Sequence, residues 1–196
     1  MNAAEIHARL SELLGARAGT LSAANKDEAA LIAPRDLLEV CRALKTDDAL
    51  AFDALMNLGC VDWPGKSEIE LVLHLFSYAR RHGFVLKCRL DRAQPRVASV
   101  VPIWSSAEWL EREQFDLFGV VFEGNPDLRR LLMPDDWIGF PLRKDYEEPE
   151  SWHGISTVRE SPLDGFVRLD ELKKKLAASR AETVKAADAP KPDGAP

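Results

Sequence analysis

The charged side chains between Glu111 and Asp145 are the residues of this chain that could do chemistry. This segment contains eight acidic residues, five basic residues and no histidine. Because the predicted helix that carries the first of them also carries several large aromatic residues, we expect its charges to be at least half buried and to require partners. The composition favours an ion-pair network or a protein–protein contact over proton-transfer catalysis. The candidate residues are Glu111, Arg112, Glu113, Asp116, Asp127, Arg129, Arg130, Arg143, Lys144 and Asp145.

Two catalytic alternatives stay open at this point. The i, i+4 spacing of Glu108, Arg112 and Asp116 predicts ion pairs along one helix face. A pair of carboxylates for glycosidase-type chemistry is conceivable, although Glu111 and Glu113 lie two residues apart on a helix and so point to different faces. A Cys–His nucleophile pair also stays open, because such residues are adjacent only in space.

Metal and disulfide sites are not indicated by the sequence. The four histidines have no second ligand at the spacing of a helical metal site. The three cysteines are odd in number and widely separated, which indicates free thiols in a reducing compartment. These residues are His7, His74, His82, His153, Cys41, Cys60 and Cys88.

Composition excludes several classes of protein. The chain has 196 residues and a net charge of −6, which argues against a nucleic-acid backbone as the main partner. The longest stretch without Asp, Glu, Lys or Arg is Val97–Ala107, 11 residues, whereas a membrane-spanning helix needs roughly 18–20. The N-terminus has no apolar signal core, so we expect an untargeted cytosolic chain or one already processed.

Hydrophobic periodicity predicts an α+β fold. The apolar spacing changes from about 3.6 to 2 along the chain, and the last three predicted strands form an antiparallel meander. We therefore expect a mostly antiparallel sheet with helices on one face, followed by an extended irregular C-terminal arm. The predicted elements are helices over residues 3–14, 34–44 and 47–56, a loop over 16–28, and strands over 29–33, 58–63, 68–75, 84–91 and 97–103.

The elements that position the charged residues are a helix and a proline-rich segment. Ser105 and Glu108 have the form of a capping box for a helix that ends at Gly119. Asn125 and Pro126 predict the start of a short helix over Asp127–Met133.

Eight of the 12 prolines lie in residues 126–196. Because dense prolines oppose long helices and central strands, we expect a compact α+β domain over residues 1–125 and an extended arm over 126–196. Within the arm, residues 170–176 could form helical turns with Lys173–Lys175 on a solvated face, and residues 186–196 are predicted to be disordered.

The segment Trp109–Tyr146 resembles the signature of the 30-kilodalton subunit of proton-pumping NADH:quinone oxidoreductase (respiratory complex I). Glu111–Gly119 meets the pattern Glu-Arg-Glu-x-x-Asp, two apolar residues and Gly. Asp127–Arg130 and Gly139–Asp145 meet Asp-Leu-Arg-Arg and Gly-x-Pro-Leu-Arg-Lys-Asp. A looser resemblance covers residues 30–104. Asn125 and Phe140 stand where the family usually has histidine, and we interpret both as structural, the first as a helix cap and the second as a packing residue.

The resemblance implies a non-catalytic structural subunit of the hydrophilic peripheral arm of complex I. It implies packing beside the quinone-site subunit and its cluster-bearing neighbour, support of NADH-to-quinone electron transfer, and no flavin or iron–sulfur cluster on this chain. It also implies a peripheral location on the cytoplasmic side of the bacterial inner membrane, with membrane association only through the complex.

Three other interpretations stay open. One is the equivalent subunit of a related ferredoxin- or other-donor-linked quinone oxidoreductase or membrane-bound hydrogenase. Another is a free-standing soluble enzyme that uses the Glu/Arg cluster. The third is a nucleic-acid-binding adaptor, which would require salt-sensitive binding despite the net charge of −6.

Overall fold

The computed structural model describes residues 1–22 and 28–158, which form an α+β fold as predicted. Short 3₁₀ turns at Gly15–Ala18, Pro34–Asp36 and Pro64–Lys66 connect some of the elements. The helices are α1 (Ala3–Leu14), α2 (Leu37–Thr46) and α3 (Ala107–Phe118), and the strands are β1 (Thr20–Ser22), β2 (Ala29–Ile32), β3 (Ala54–Trp63), β4 (Glu68–Ser77), β5 (His82–Asp91), β6 (Arg96–Ala98), β7 (Val121–Glu123), β8 (Ser151–Trp152) and β9 (Ile155–Ser156).

The main sheet has five strands in the order β1-β2-β5-β4-β3. Its pairings are antiparallel except for β2 with β5, so the sheet is mostly antiparallel, as predicted. Alternate residues of β4 and β5 are buried in the register that the period-2 pattern predicts. Helices α1 and α2 contribute the fully buried Ile6, Leu10, Val40 and Leu44 to the same core.

Two predicted elements around this sheet are wrong. The Asp47 carboxylate caps one turn by accepting the N–H groups of Ala49 and Leu50. The turn does not continue as a helix, because Ala51 has a left-handed φ of 44°. The chain then enters β3, which is the third strand of the meander in place of residues 97–103. The predicted loop over residues 16–28 is also partly wrong, since it contains β1.

Only the first part of the predicted strand over residues 97–103 forms. It contributes to β6, which pairs in parallel with β7 outside the main sheet. The pairing stops where the Glu111 carboxylate accepts hydrogen bonds from the Ser99 hydroxyl and the Val100 N–H, at 2.7 Å each. This side chain takes a main-chain donor that a continued strand would need.

Helix α3 ends at Gly119 as predicted, in the left-handed conformation with φ of 76°. The predicted capping box at its start is wrong: Ser106 is the N-cap, and no side chain caps the helix. The short helix predicted over Asp127–Met133 does not form. Instead, the Asn125 side chain accepts the Asp127 N–H at 2.9 Å, which closes a local turn.

The chain divides into a compact unit over Met1–Glu147 and a second unit from Glu148 onward. Residues 126–147, which the proline content assigned to the arm, belong to the first unit and contain no helix or strand. The division into a compact domain and an arm at residue 125 stays a prediction. In the described part of the second unit, β8 and β9 form a small hairpin.

The predictions for residues 170–176 and 186–196 lie outside the described residues. Within the described residues, no helix is long and apolar enough to cross a membrane.

Candidate functional site

Helix α3 places three charged residues of the candidate set inside the protein. Glu111, Arg112 and Asp116 are buried, which confirms the expectation of burial. Glu113 is half-buried and, among the described residues, has no ion-pair partner. The ion pairs predicted between Glu108, Arg112 and Asp116 do not form. Arg112 pairs with Asp127 and Asp116 pairs with Arg130, and both partners lie outside the helix.

The Asp116 carboxylate is the centre of the most densely bonded cluster. Its Oδ1 accepts a hydrogen bond from Arg130 at 2.7 Å. Its Oδ2 accepts the main-chain N–H groups of Leu131, Leu132 and Met133 at 3.0, 2.7 and 2.8 Å. Burial alone would raise the pKa of Asp116, but these donors outweigh it and hold the pKa below its usual range. One carboxylate therefore fixes four consecutive residues of an irregular segment.

The Arg130 guanidinium links this cluster to the following loop. Besides its ion pair with Asp116, it donates to the carbonyl oxygens of Trp137 and Gly139 at 2.8 and 3.3 Å. The ring of Phe140 lies 5.8 Å from the guanidinium. The segments on both sides of residues 134–136 are thus attached to α3 through one arginine.

Arg112 binds the main chain just before this cluster. Its guanidinium donates to the carbonyl oxygens of Arg129 and Arg130 at 3.3 and 3.1 Å and lies 3.5 Å from the Asp127 carboxylate. The exposed Trp109 ring covers it at 4.8 Å. Asp127 also forms an ion pair with the exposed Arg129 at 2.9 Å.

Glu111 differs from its neighbours because its hydrogen-bond donors are neutral. They are the Ser99 hydroxyl, the Val100 N–H and the Asn125 side-chain amide, at 2.7, 2.7 and 2.8 Å. Burial raises the pKa of Glu111, and these donors only partly offset that effect. Asn125 therefore joins Glu111 to its own turn rather than capping a helix.

Sequence reasoning missed a second ionic cluster, centred on Asp62 of β3. The Asp62 carboxylate accepts hydrogen bonds from Arg92 at 2.6 and 3.0 Å and from the Lys144 main-chain N–H at 2.8 Å. Arg92 also binds Asp145 at 2.5 Å. The hydrogen bond from Arg92 holds the pKa of Asp62 below its usual range. The alternation of β3 was the available signal, because it places an aspartate on the inward face beside Leu58 and Cys60.

Arg143 holds the segment between the two clusters. Its Nε donates to the Phe118 carbonyl oxygen at 2.7 Å, and its guanidinium lies 4.9 Å from the Phe140 ring. The same ring packs against Gly119, where an added Cβ would lie 2.5 Å from it. Phe140 therefore has the packing role that the sequence suggested for it, while the Lys144 side chain is exposed and contributes only its main chain.

The two catalytic alternatives gain no support from this geometry. Glu111 is enclosed and bonded, whereas Glu113 is partly exposed, so the two carboxylates do not face one site. Burial raises the pKa of the Cys88 thiol to about 12 and also raises that of Cys41 and Cys60, so these thiols are protonated at neutral pH. Among residues 1–22 and 28–158, no group of three or more His, Cys, Asp or Glu is arranged to hold a metal ion.

Comparison with known proteins gives a consistent family. The profile of the family described as "Respiratory-chain NADH dehydrogenase, 30 Kd subunit" matches residues 30–151. A subunit of the NADH-quinone oxidoreductase of Chloroherpeton thalassium is 43% identical over 113 residues, which are 57% of this chain and 47% of that protein. The chain thus matches about half the length of this relative.

Two further similar proteins come from complexes that are not named as NADH dehydrogenases. A subunit of the F(420)H(2) dehydrogenase of Methanosarcina mazei is 44% identical over 110 residues, 56% of this chain and 68% of that protein. A chain in the structure of the membrane-bound sulfane sulfur reductase, an archaeal respiratory membrane complex, is similar with a TM-score of 0.63. It is 25% identical, and the match covers 89% of this chain and 91% of that one.

Proposed function

We propose that this chain, which belongs to the 30-kDa subunit family of respiratory-chain NADH dehydrogenase, is a non-catalytic structural subunit of the peripheral arm of proton-pumping NADH:quinone oxidoreductase. In this role it packs beside the quinone-site subunit and its cluster-bearing neighbour and supports NADH-to-quinone electron transfer. The partner subunits bind the flavin and the iron–sulfur clusters. The chain lies on the cytoplasmic side of the inner membrane and associates with the membrane only through the complex.

The observation that supports a structural role is how the buried charges are used. Asp116 and Arg112 direct their hydrogen bonds at main-chain groups of residues 129–133, and Glu111 binds the Val100 N–H. These side chains replace the hydrogen bonds that a helix or a strand would have provided. A carboxylate or guanidinium that is bonded in this way is committed to holding the backbone rather than available to a substrate.

The related-complex alternative rests on a specific observation. The chain is as similar to a subunit of an F(420)H(2) dehydrogenase as to one of an NADH-quinone oxidoreductase, at 44% and 43% identity. A structural subunit that does not bind the electron donor would be shared by complexes with different donors. The donor of this chain's complex is therefore decided by its partners.

The test is to isolate the tagged chain from its own membranes in mild detergent and to identify its partners by native mass spectrometry. We expect stoichiometric association with subunits that carry iron–sulfur clusters, together with a flavin subunit that oxidises NADH. A complex with the same cluster-bearing core but without that flavin subunit would favour the alternative. An unassociated, folded chain with its own turnover would contradict both.

A further inference from the structure

The irregular segment that the buried charges hold carries exposed apolar side chains. Ile138 is 86% exposed, Leu132 is 63% exposed and Leu142 is 49% exposed. At these positions the charged Asp116 and Arg130 point inward, and the three large aliphatic groups point outward. Exposed apolar groups that cluster on one segment commonly mark a binding surface.

The main chain beside each of these apolar residues is fixed on the same turn of α3. The N–H of Leu132 binds the Asp116 carboxylate at 2.7 Å. The carbonyl oxygens on either side of Ile138 accept from Arg130, which is paired with Asp116. The N–H of Leu142 binds the carbonyl oxygen of Leu117 at 3.1 Å. Because the backbone is held before any partner binds, docking of these side chains requires little further ordering of the chain.

The charge beside these residues indicates the kind of partner. Asp135 and Asp136 are both exposed and lie between Leu132 and Ile138 in the chain. Asp136 already has a contact within the protein, whereas the Asp135 carboxylate is complementary to an arginine or lysine side chain and is repelled by the anionic headgroups of a bilayer. The surface therefore favours a protein partner over a lipid surface.

We propose that Leu132, Ile138 and Leu142 form a docking surface, the 132–142 surface, for a protein subunit that presents an apolar pocket bordered by arginine or lysine. This inference rests on the proposed function, because it requires that the chain has partner subunits. It assigns the contact to the exposed apolar residues, whereas the buried charges of α3 act as positioning residues that hold this surface in shape.

The experiment uses the full chain, tagged and expressed in its native host, with Ile138→Asp and Leu132→Asp as separate variants. We expect each to lower the amount of co-purified partner subunits per tagged chain at least tenfold. Met56→Asp is the matched control, since Met56 is 56% exposed on β3, and it should retain partners at the wild-type level. The thermal unfolding midpoint of each isolated variant should equal that of the wild type, because exposed side chains contribute little to folding.

Two further measurements separate the possible outcomes. A photo-crosslinking residue at position 138 should label a peptide of a partner subunit, and Asp135→Lys should reduce co-purification. Labelling of lipid alone, or normal assembly of Ile138→Asp and Leu132→Asp, would overturn the 132–142 surface while leaving the proposed function intact. If the wild-type chain itself retains no respiratory subunits, the proposed function fails instead.

Discussion

Replacing Asp116 with asparagine removes the charge that holds residues 130–133 and keeps the size of the side chain. The remaining amide oxygen can accept either from Arg130 or from the N–H groups of Leu131–Met133, but not from both sets as the carboxylate does. The Arg130 guanidinium, with its side chain only 15% exposed, then loses its ion-pair partner. Removing one partner of a buried ion pair costs about 3–5 kcal/mol.

The cost in this protein should lie near the lower end of that range. Arg130 keeps the carbonyl oxygens of Trp137 and Gly139, which still solvate part of its charge. We therefore expect the free energy of unfolding to fall by about 3 kcal/mol, a large share of the roughly 5–15 kcal/mol of a typical domain. Urea denaturation of the full chain measures this loss. Hydrogen exchange should show faster exchange at residues 131–133 before the sheet opens.

A double-mutant cycle tests the reasoning behind this number. Arg130→Gln removes the cation that Asp116→Asn leaves unpaired. The double variant should therefore lose less free energy of unfolding than the sum of the losses of the two single variants. Glu113→Gln is the control on the same helix, and it should change stability by no more than about 0.5 kcal/mol. A loss below about 1 kcal/mol for Asp116→Asn, or strict additivity in the cycle, would refute the role given to this ion pair.

Three other perturbations test separate parts of the structure. Gly119→Ala should lower the free energy of unfolding by about 2–4 kcal/mol in denaturant titration, because it strains a left-handed residue and places a Cβ against the Phe140 ring. Burial raises the pKa of Glu111, so its contribution to stability is present at low pH and is lost as the pH rises through that pKa. The free energy of unfolding of the wild type should therefore rise relative to that of Glu111→Gln as the pH falls from neutral toward the usual carboxyl range. The pKa of Asp62 is lowered, so its contribution to stability is present at neutral pH and is lost as the pH falls through that pKa. Asp62→Asn should therefore destabilise the protein most at about pH 7 and least in strong acid. Hydrogen exchange at the Lys144 amide, which binds Asp62, should become faster in this variant.

Each of these has an outcome that counts against it. Gly65→Ala is the control for the glycine, since nothing lies within 4 Å of a Cβ there, and equal losses at the two positions would remove the argument from Phe140. If the difference in free energy of unfolding between the wild type and Glu111→Gln does not change with pH, the pKa of Glu111 is not raised. Unchanged exchange at Lys144 in Asp62→Asn would show that the segment is held by other contacts.

The periodic part of this fold could be predicted from the sequence, since it depends on local patterns. The alternation in β4 and β5 gives both the strands and their buried faces, and Gly119 ends α3 where a left-handed residue is needed. The helix predicted from Asp47 to Met56 stops after one turn, because Ala51 has a left-handed φ of 44° and the Phe52 N–H bonds to the Leu44 carbonyl oxygen instead. The apolar residues that follow fit the strand β3 equally well.

The candidate site could be predicted in its residue types but not in its pairing. Burial of Glu111, Arg112 and Asp116 follows from their aromatic neighbours on α3, but their partners lie up to 18 residues away in segments without periodicity. The pair of Asp62 with Arg92 was missed for the same reason, because 30 residues separate its members. Ionic partners are chosen by tertiary packing, which neither helix nor strand spacing encodes.

The charged residues of α3 are explained by the irregular backbone that they bind. Residues 126–147 lie on the first unit without a helix or a strand, so their main-chain groups need other partners when buried. Asp116, which is negative, binds three N–H groups, while Arg112 and Arg130, which are positive, bind carbonyl oxygens. Each sign of charge thus meets the main-chain group of opposite polarity. An apolar residue at any of these three positions would leave partly buried donors or acceptors unpaired. The ionic residues therefore hold this segment to α3 while its exposed aliphatic side chains point outward.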